Sequence, residues 1–496
     1  MLNPQARTQL APAKKTTLTF VLILSALMAV TSLSTDIYLP AMPVMAQDLR
    51  GDAELTITGF LIGFCIAQLI WGPISDRYGR RLPLFIGMVL FVIGSVGCAL
   101  STDIVQIVFW RVFQALGACT GPMLARAMIR DLFSRTRAAQ MLSTLMIIMA
   151  IAPIAGPLIG GQMINVTSWH AIFWLLAAIG IVMLISLFWL PETLAEDKRS
   201  QASVSSAFRN YYALLTNGQY MRFTLCLTFY YVAAYAFITG SPFVYITYFG
   251  VDPQHYGWLF AVNIVGLMAV SMVNRRLVHR YPLEALLKIA VFVATLAALL
   301  LAVASGLGVG GISAIAGAVF VFFSMNGIIA ATSTACALDA VPNVAGSASA
   351  LMGALQYGSG IISSLLLALF RDGTPWTMGW IIAAFTVASA LMALTIQIKK
   401  IAFRLRLPLR FMNFIHSAYL RGVIIFYPDF ANLGFITRIN MIPAGRDNNG
   451  DELNILIEED VELLHRLVNI AGHPVGFDMG RAVDQEQLFI AGAGWL

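Results

Sequence analysis

Long apolar runs separated by short polar turns recur throughout residues 18–398. Runs of about 20 apolar residues can cross the ~30 Å hydrocarbon core of a bilayer as α-helices. Hydropathy and turn signals predict about twelve such spans. Their expected limits are 18–42, 54–74, 82–101, 104–127, 138–164, 168–190, 221–246, 255–275, 284–304, 308–335, 345–370 and 376–398. The longest hydrophilic interruption, 191–220, follows the sixth span and holds Glu192, Glu196, Asp197, Lys198 and a serine-rich run. Six spans, a linker and six spans is the plan of a rocking two-bundle carrier; a channel has no need of it.

Composition agrees with an all-α membrane protein. The 496 residues are 59% hydrophobic and 11% charged, where a soluble domain carries about 25% charged residues. The formal charge of +6 therefore implies no nucleic-acid partner. The basic residues collect in alternate turns: Lys14, Lys15, Arg77, Arg80, Arg81, Arg130, Arg135, Arg137, Lys198, Arg199, Arg209, Arg275, Arg276, Arg280, Lys399 and Lys400 fall on one side, and Arg50 and Arg371 on the other. Short basic turns face the cytoplasm, which places both termini there. The expected organisation is a cytoplasmic N-terminus (1–17), a first six-helix bundle (18–190), a cytoplasmic linker (191–220), a second six-helix bundle (221–398) and a cytoplasmic tail (399–496). Lys14 and Lys15 before an apolar run mimic a signal peptide. No small-residue cleavage site follows, so the segment reads as a retained first span.

Enzyme chemistry finds no foothold. There is no Walker A sequence, no HExxH and no Ser/His/Asp arrangement to single out. Five scattered cysteines read as packing residues, and neither a metal site nor a cofactor is expected.

Three segments break the apolar pattern with charge or with repeated glycine and proline. Gly72-Pro-Ile-Ser-Asp76-Arg77-Tyr-Gly79-Arg80-Arg81 joins spans two and three. Arg111-Val-Phe-Gln114-Ala-Leu-Gly117 lies in span four, and Ala152-Pro153-Ile-Ala-Gly156-Pro157-Leu-Ile-Gly160-Gly161 in span five. These resemble motifs A, B and C of the major facilitator superfamily, motif C with Ala152 where a glycine is usual. Ser34-Thr35-Asp36-Ile-Tyr38-Leu-Pro40-Ala-Met-Pro43, Ala125-Arg126-Ala-Met-Ile-Arg130-Asp131 and Ala345-Gly346-Ser-Ala-Ser-Ala350 are similar to the Bcr/CflA branch of its drug:proton antiporters. The resemblance covers about residues 15–400. It implies the major facilitator fold and a monomer working by alternating access in the bacterial inner membrane. It also implies proton-driven efflux of small drugs, with bicyclomycin, sulfonamides and phenicols as typical substrates.

Ionisable groups at membrane depth are costly and usually functional. In the fold implied by the resemblance, spans one and four both line the cavity, and Asp36 and Arg111 sit at comparable depth. A carboxyl there exchanges its proton as hydration and nearby charge change. The expectation is that Asp36 carries the proton and Arg111 sets its affinity; the alternative is that Asp36 marks the wet end of its helix, with Tyr38 as interfacial anchor. Asp76 is expected to latch onto the N-terminus of span eleven at Gly346–Ser349, while Arg80 pairs with Asp131 and Arg77 completes the basic turn. Gly72 and Gly79 permit close packing and a tight turn. Gly156, Gly160 and Gly161 allow close helix approach, with Pro153 and Pro157 bending the span.

Uncharged polar and aromatic groups suit amphiphilic substrates. Gln114, Tyr230, Tyr231, Tyr235, Asn263, Asn326 and Gln356 are the cavity candidates. Arg126 reads as a residue snorkelling to the cytoplasmic interface. The tail suggests an amphipathic segment at 401–411, a strand at 423–427 and a helix at 451–468, without an assigned role. Two other functions stay open: a proton-coupled exporter of a native metabolite such as an amino acid or dipeptide, and a receptor or scaffold acting through the tail.

Overall fold

The computed structural model describes residues 18–396, apart from 134–136, 138–140, 142–144, 146–148, 150 and 200–203. The N-terminal segment 1–17 and the tail 399–496, with its suggested strand and helix, lie outside the described residues. Among those described, every regular element is a helix.

Helix α1 (Leu18–Asp36) stops where Pro40 has no N–H to offer the Asp36 carbonyl. A 3-10 turn (Leu39–Ala41) leads into the short α2 (Met42–Asp48). Helix α3 (Glu54–Tyr78) ends at Gly79, whose φ of +93° is unfavourable for any side chain. A Cβ on Gly79 would also lie 2.6 Å from a Glu192 carboxylate oxygen, so glycine is required twice over. After α4 (Arg81–Ala99), Asp103 caps α5 (Ile104–Ala118) by accepting from the Val105 and Gln106 N–H groups. Helix α6 (Thr120–Leu132) continues the same crossing. Helices α7 (Ala152–Val166) and α8 (Trp169–Ser186) complete the first half.

The hydrophilic linker contains a helix of its own, α9 (Val204–Thr216). Helix α10 (Gly218–Pro242), capped by Asn217 on the Tyr220 N–H, runs into a π-helical turn at Phe243–Tyr248. Next come α11 (Pro253–Leu277), α12 (Leu283–Leu307), α13 (Gly311–Ser324), α14 (Asn326–Asp339), α15 (Ala345–Leu369) and α16 (Trp376–Leu394).

Eleven helical stretches among the described residues are long and apolar enough to cross a membrane. The difference from twelve falls at the expected fifth span, 138–164. Much of its first part lies outside the described residues, and its described second part is α7. Pro153 opens α7 within its first turn, where a missing N–H costs little, and only Pro157 is interior.

Within the first half α3, α4, α5 and α8 pack together, and α1 lies against α6 and α7. Within the second, α10 packs on α15 and α16, α12 on α13 and α16, and α11 on α13 and α14. Among the described residues the halves meet mainly through two helix pairs: α3 with α15, and α7 with α11.

The α7 seam is backbone against backbone. A Cβ on Gly160 would sit 1.6 Å from the Ile37 carbonyl oxygen, and one on Gly161 2.4 Å from that of Pro253 on α11. Overpacking a close contact costs about 1–3 kcal/mol. Gly160→Val is therefore expected to lower the thermal unfolding midpoint of the purified protein. An unchanged midpoint would mean that the seam is not closed as described.

Candidate transport site

A cavity of about 670 Å³ opens on the face that carries the basic turns. Its walls are the ends of α3 and α6, the first turn of α15 and the linker helix α9, whose Tyr211 hydroxyl donates to the Leu69 carbonyl (3.0 Å). The opposite face is shut. There the α7 glycines press on the Asp36–Ile37 segment and on α11, and Arg371 pairs with Asp52 across the halves at 3.1 Å.

Asp36 lies at that closed end. It is 7% exposed, accepts from the Thr35 hydroxyl at 3.0 Å, and its Cβ would meet a Cβ on Gly156 at 3.3 Å. Arg111 is fully buried, and among the described residues no ion pair includes either group. Arg111 does reach α1, but at the Ser34 carbonyl (3.0 Å) and not at Asp36. Residues two apart on a helix point to nearly opposite sides, so a group aimed at Ser34 misses the carboxylate.

Arg111 works as a clamp. Ser34 O is one of the last four carbonyls of α1, which no intrahelical N–H satisfies, and the guanidinium supplies the donor. Its Nε reaches the Thr56 carbonyl (3.4 Å) and its Nη1 the Gln114 side chain (2.5 Å). The Tyr38 and Phe60 rings each hold the cation at 4.4 Å. Gln114 passes the link to α4 by donating to Ser95 Oγ at 2.8 Å.

Around the Gly72–Arg81 turn, Arg80 ties three segments. It donates to Asp76 (2.5 Å), to Asp131 on α6 (2.9 Å) and to Ser75 (2.9 Å). Thr193 also donates to Asp131, at 3.2 Å. Burial alone would raise the Glu192 carboxyl, but the backbone N–H groups of Arg80, Leu194, Arg81 and Thr193 outweigh it and hold the group below the usual carboxylate range. Glu192 thus stays ionised and fastens the linker to the start of α4. Arg77 lies over the Tyr78 ring at 5.6 Å.

Asp76 does not sit on the α15 N-terminus. Its side chain is 54% exposed, and it lines the cavity together with Gly346, Ser347 and Ser349. No hydrogen bond joins it to α15 among the described residues. The open cavity separates the two sides of the expected latch. Gly72 lines the same space, with room for a Cβ.

None of the seven cavity candidates from the sequence lines this cavity. Gln114 is consumed by the Arg111 clamp. Tyr230 is fully buried and donates to the Phe322 carbonyl (2.9 Å), while Asn263 donates to Leu259 of its own helix (2.8 Å). The other four gather nearer the middle of the protein. The Tyr231 hydroxyl lies beside the Asn326 and Gln356 amides, and Tyr231, Tyr235 and Tyr357 form a ring chain that ends on Phe64 at 4.0 Å. The polar groups that do line the cavity include Gln68, Arg126, Arg130 and Asn210. Arg126 is exposed to it, with Nε on the Pro122 carbonyl at 2.8 Å, so it does not snorkel outward. Pro122 lies one turn back toward the middle of the protein, which is the direction helical side chains favour.

A membrane protein with a cavity open to one face, a packed seam at the other and buried charge between them is a transporter, not an enzyme. The family model of the Major Facilitator Superfamily matches residues 24–364. The chain is 34% identical over 390 residues to an uncharacterized MFS-type transporter, YdgK, of Bacillus subtilis, covering 77% of this chain and 96% of that one. It is 29% identical to a bicyclomycin resistance protein homolog of Haemophilus influenzae (76% and 96% covered) and 28% identical to multidrug resistance protein D of Escherichia coli (71% and 89%). Among solved structures, the nucleoside transporter NupG aligns with a TM-score of 0.63 at 15% identity, covering 76% of this chain and 99% of that one. The xylose transporter XylE from E. coli aligns with a TM-score of 0.57 at 14% identity (77% and 98%). The chain belongs to the major facilitator superfamily.

Proposed function

We propose that this transporter exports small drugs of the bicyclomycin, sulfonamide or phenicol type across the bacterial inner membrane, in exchange for protons. The names of the Haemophilus and Escherichia relatives favour drug efflux. The positive-inside rule puts the cavity on the cytoplasmic side. The observation that carries the reading is the position of Asp36. A buried carboxyl without a cationic partner among the described residues packs into the α1–α7 seam that seals the outer face. Opening that face must part the seam, so hydration and proton exchange at Asp36 go together with the outward swing.

The cycle then has four steps. A drug enters the inward cavity between the halves, and the proton that Asp36 carried in from the previous turnover leaves to the cytoplasm. The α3–α15 side closes as Asp76 swings to the uncapped α15 N-terminus. The α7 seam opens and the drug leaves outward. A proton taken up at Asp36 from outside resets the carrier. Arg80, held by Asp131, gives the inner gate its fixed point.

Expression of the full chain in an efflux-deficient bacterial host tests the proposal. The minimum inhibitory concentration of at least one of the three drug types is expected to rise several-fold over vector. No protection against any of them would contradict drug export.

A further inference from the structure

The inward cavity carries more positive charge than its ion pairs consume. Four charged residues line it: Asp76, Arg80, Arg126 and Arg130. Arg80 is spent on Asp76 and Asp131. Neither Arg126 nor Arg130 is in an ion pair among the described residues, and both are exposed to the cavity. The first turn of α15, whose N–H groups have no side-chain cap, opens into the same space. A helix N-terminus adds partial positive charge where these guanidiniums already stand.

Arg126 is the deeper of the two. Its Nε is held by the Pro122 carbonyl, which leaves both Nη groups to present a planar fork. A guanidinium fork open to the cavity matches a substrate that carries an acidic group.

We infer that the cavity selects organic acids and zwitterions, with the acidic group docked on Arg126. The inference rests on the export reading above and, of its three drug types, favours the sulfonamides, whose N–H is acidic. Arg130, at the mouth, steers the anion inward, and Arg126 holds it.

Proteoliposomes of the full chain separate the possibilities with three probes: dansylglycine, its carboxamide dansylglycinamide, and radiolabelled chloramphenicol. Wild type is expected to move the acid about tenfold faster than the amide, as a charge-assisted bidentate contact warrants. Arg126→Gln should remove that preference and Arg126→Lys should keep part of it. The amide flux controls for misfolding. Equal acid and amide flux in wild type, or a preference that survives Arg126→Gln, overturns the inference. If chloramphenicol still moves in that case, the export reading stands and only the acid preference falls. If none of the three probes moves, both fall.

Discussion

Asp36→Asn is expected to abolish proton-coupled export while leaving the folded protein intact. Asparagine keeps the shape and can still bond Thr35, but it cannot exchange a proton. Coupling between two sites is typically about 1–3 kcal/mol, or roughly 5–150-fold, and that factor should be lost from resistance in the efflux-deficient host. A second reading isolates the step. Drug added to lightly buffered, purified wild type should release protons, and Asp36→Asn should release none. Full resistance with undiminished proton release in the variant would move the proton site elsewhere. The position supports the assignment physically. Asp36 ends α1 beneath the glycines of α7, so its hydration follows the seam.

The second large effect is expected at Arg111, and it is structural. Arg111→Met removes the donor to the Ser34 carbonyl, the link through Gln114 to Ser95, and the cation between Tyr38 and Phe60. Hydrogen bonds to charged groups contribute about 1.5–3 kcal/mol each, and a desolvated cation–π contact about 2. The unfolding midpoint of Arg111→Met should therefore fall well below that of Asp36→Asn. Arg111→Lys should recover part of it, since an ammonium reaches one carbonyl but cannot fill the flat space between two rings. If Arg111→Met melts like wild type yet shifts the pH dependence of transport, Arg111 tunes the proton site after all.

What the sequence made legible follows from the strength of each signal. Twenty-residue apolar runs and charge asymmetry fix spans well, because the bilayer allows so few alternatives. The Gly79 turn was legible because a left-handed φ at the end of α3 leaves one residue type. The pairing of Asp36 with Arg111 was not. Equal depth along two helices says nothing about azimuth, and Arg111 turned out to face Ser34, two residues and half a turn away.

The lining of the described cavity was not legible for a related reason. Tyr, Asn and Gln in an apolar helix look like substrate contacts, yet Gln114 and Tyr230 satisfy partners inside the packed protein. Arg126 looked like a snorkelling residue because its distance along α6 from the membrane surface is short. The signal that was available is its spacing from Arg130: four residues apart, both face one side of α6, and that side is the cavity.

The central claim is exchange of drug against protons, and it is tested most directly by imposing a pH gradient on proteoliposomes of the full chain. Drug movement should accelerate with the gradient, run against the proton flow recorded by a trapped pH dye, and stop when a protonophore collapses the gradient. Wild-type drug flux of the same size with and without the gradient, and no accompanying proton flow, would contradict the account.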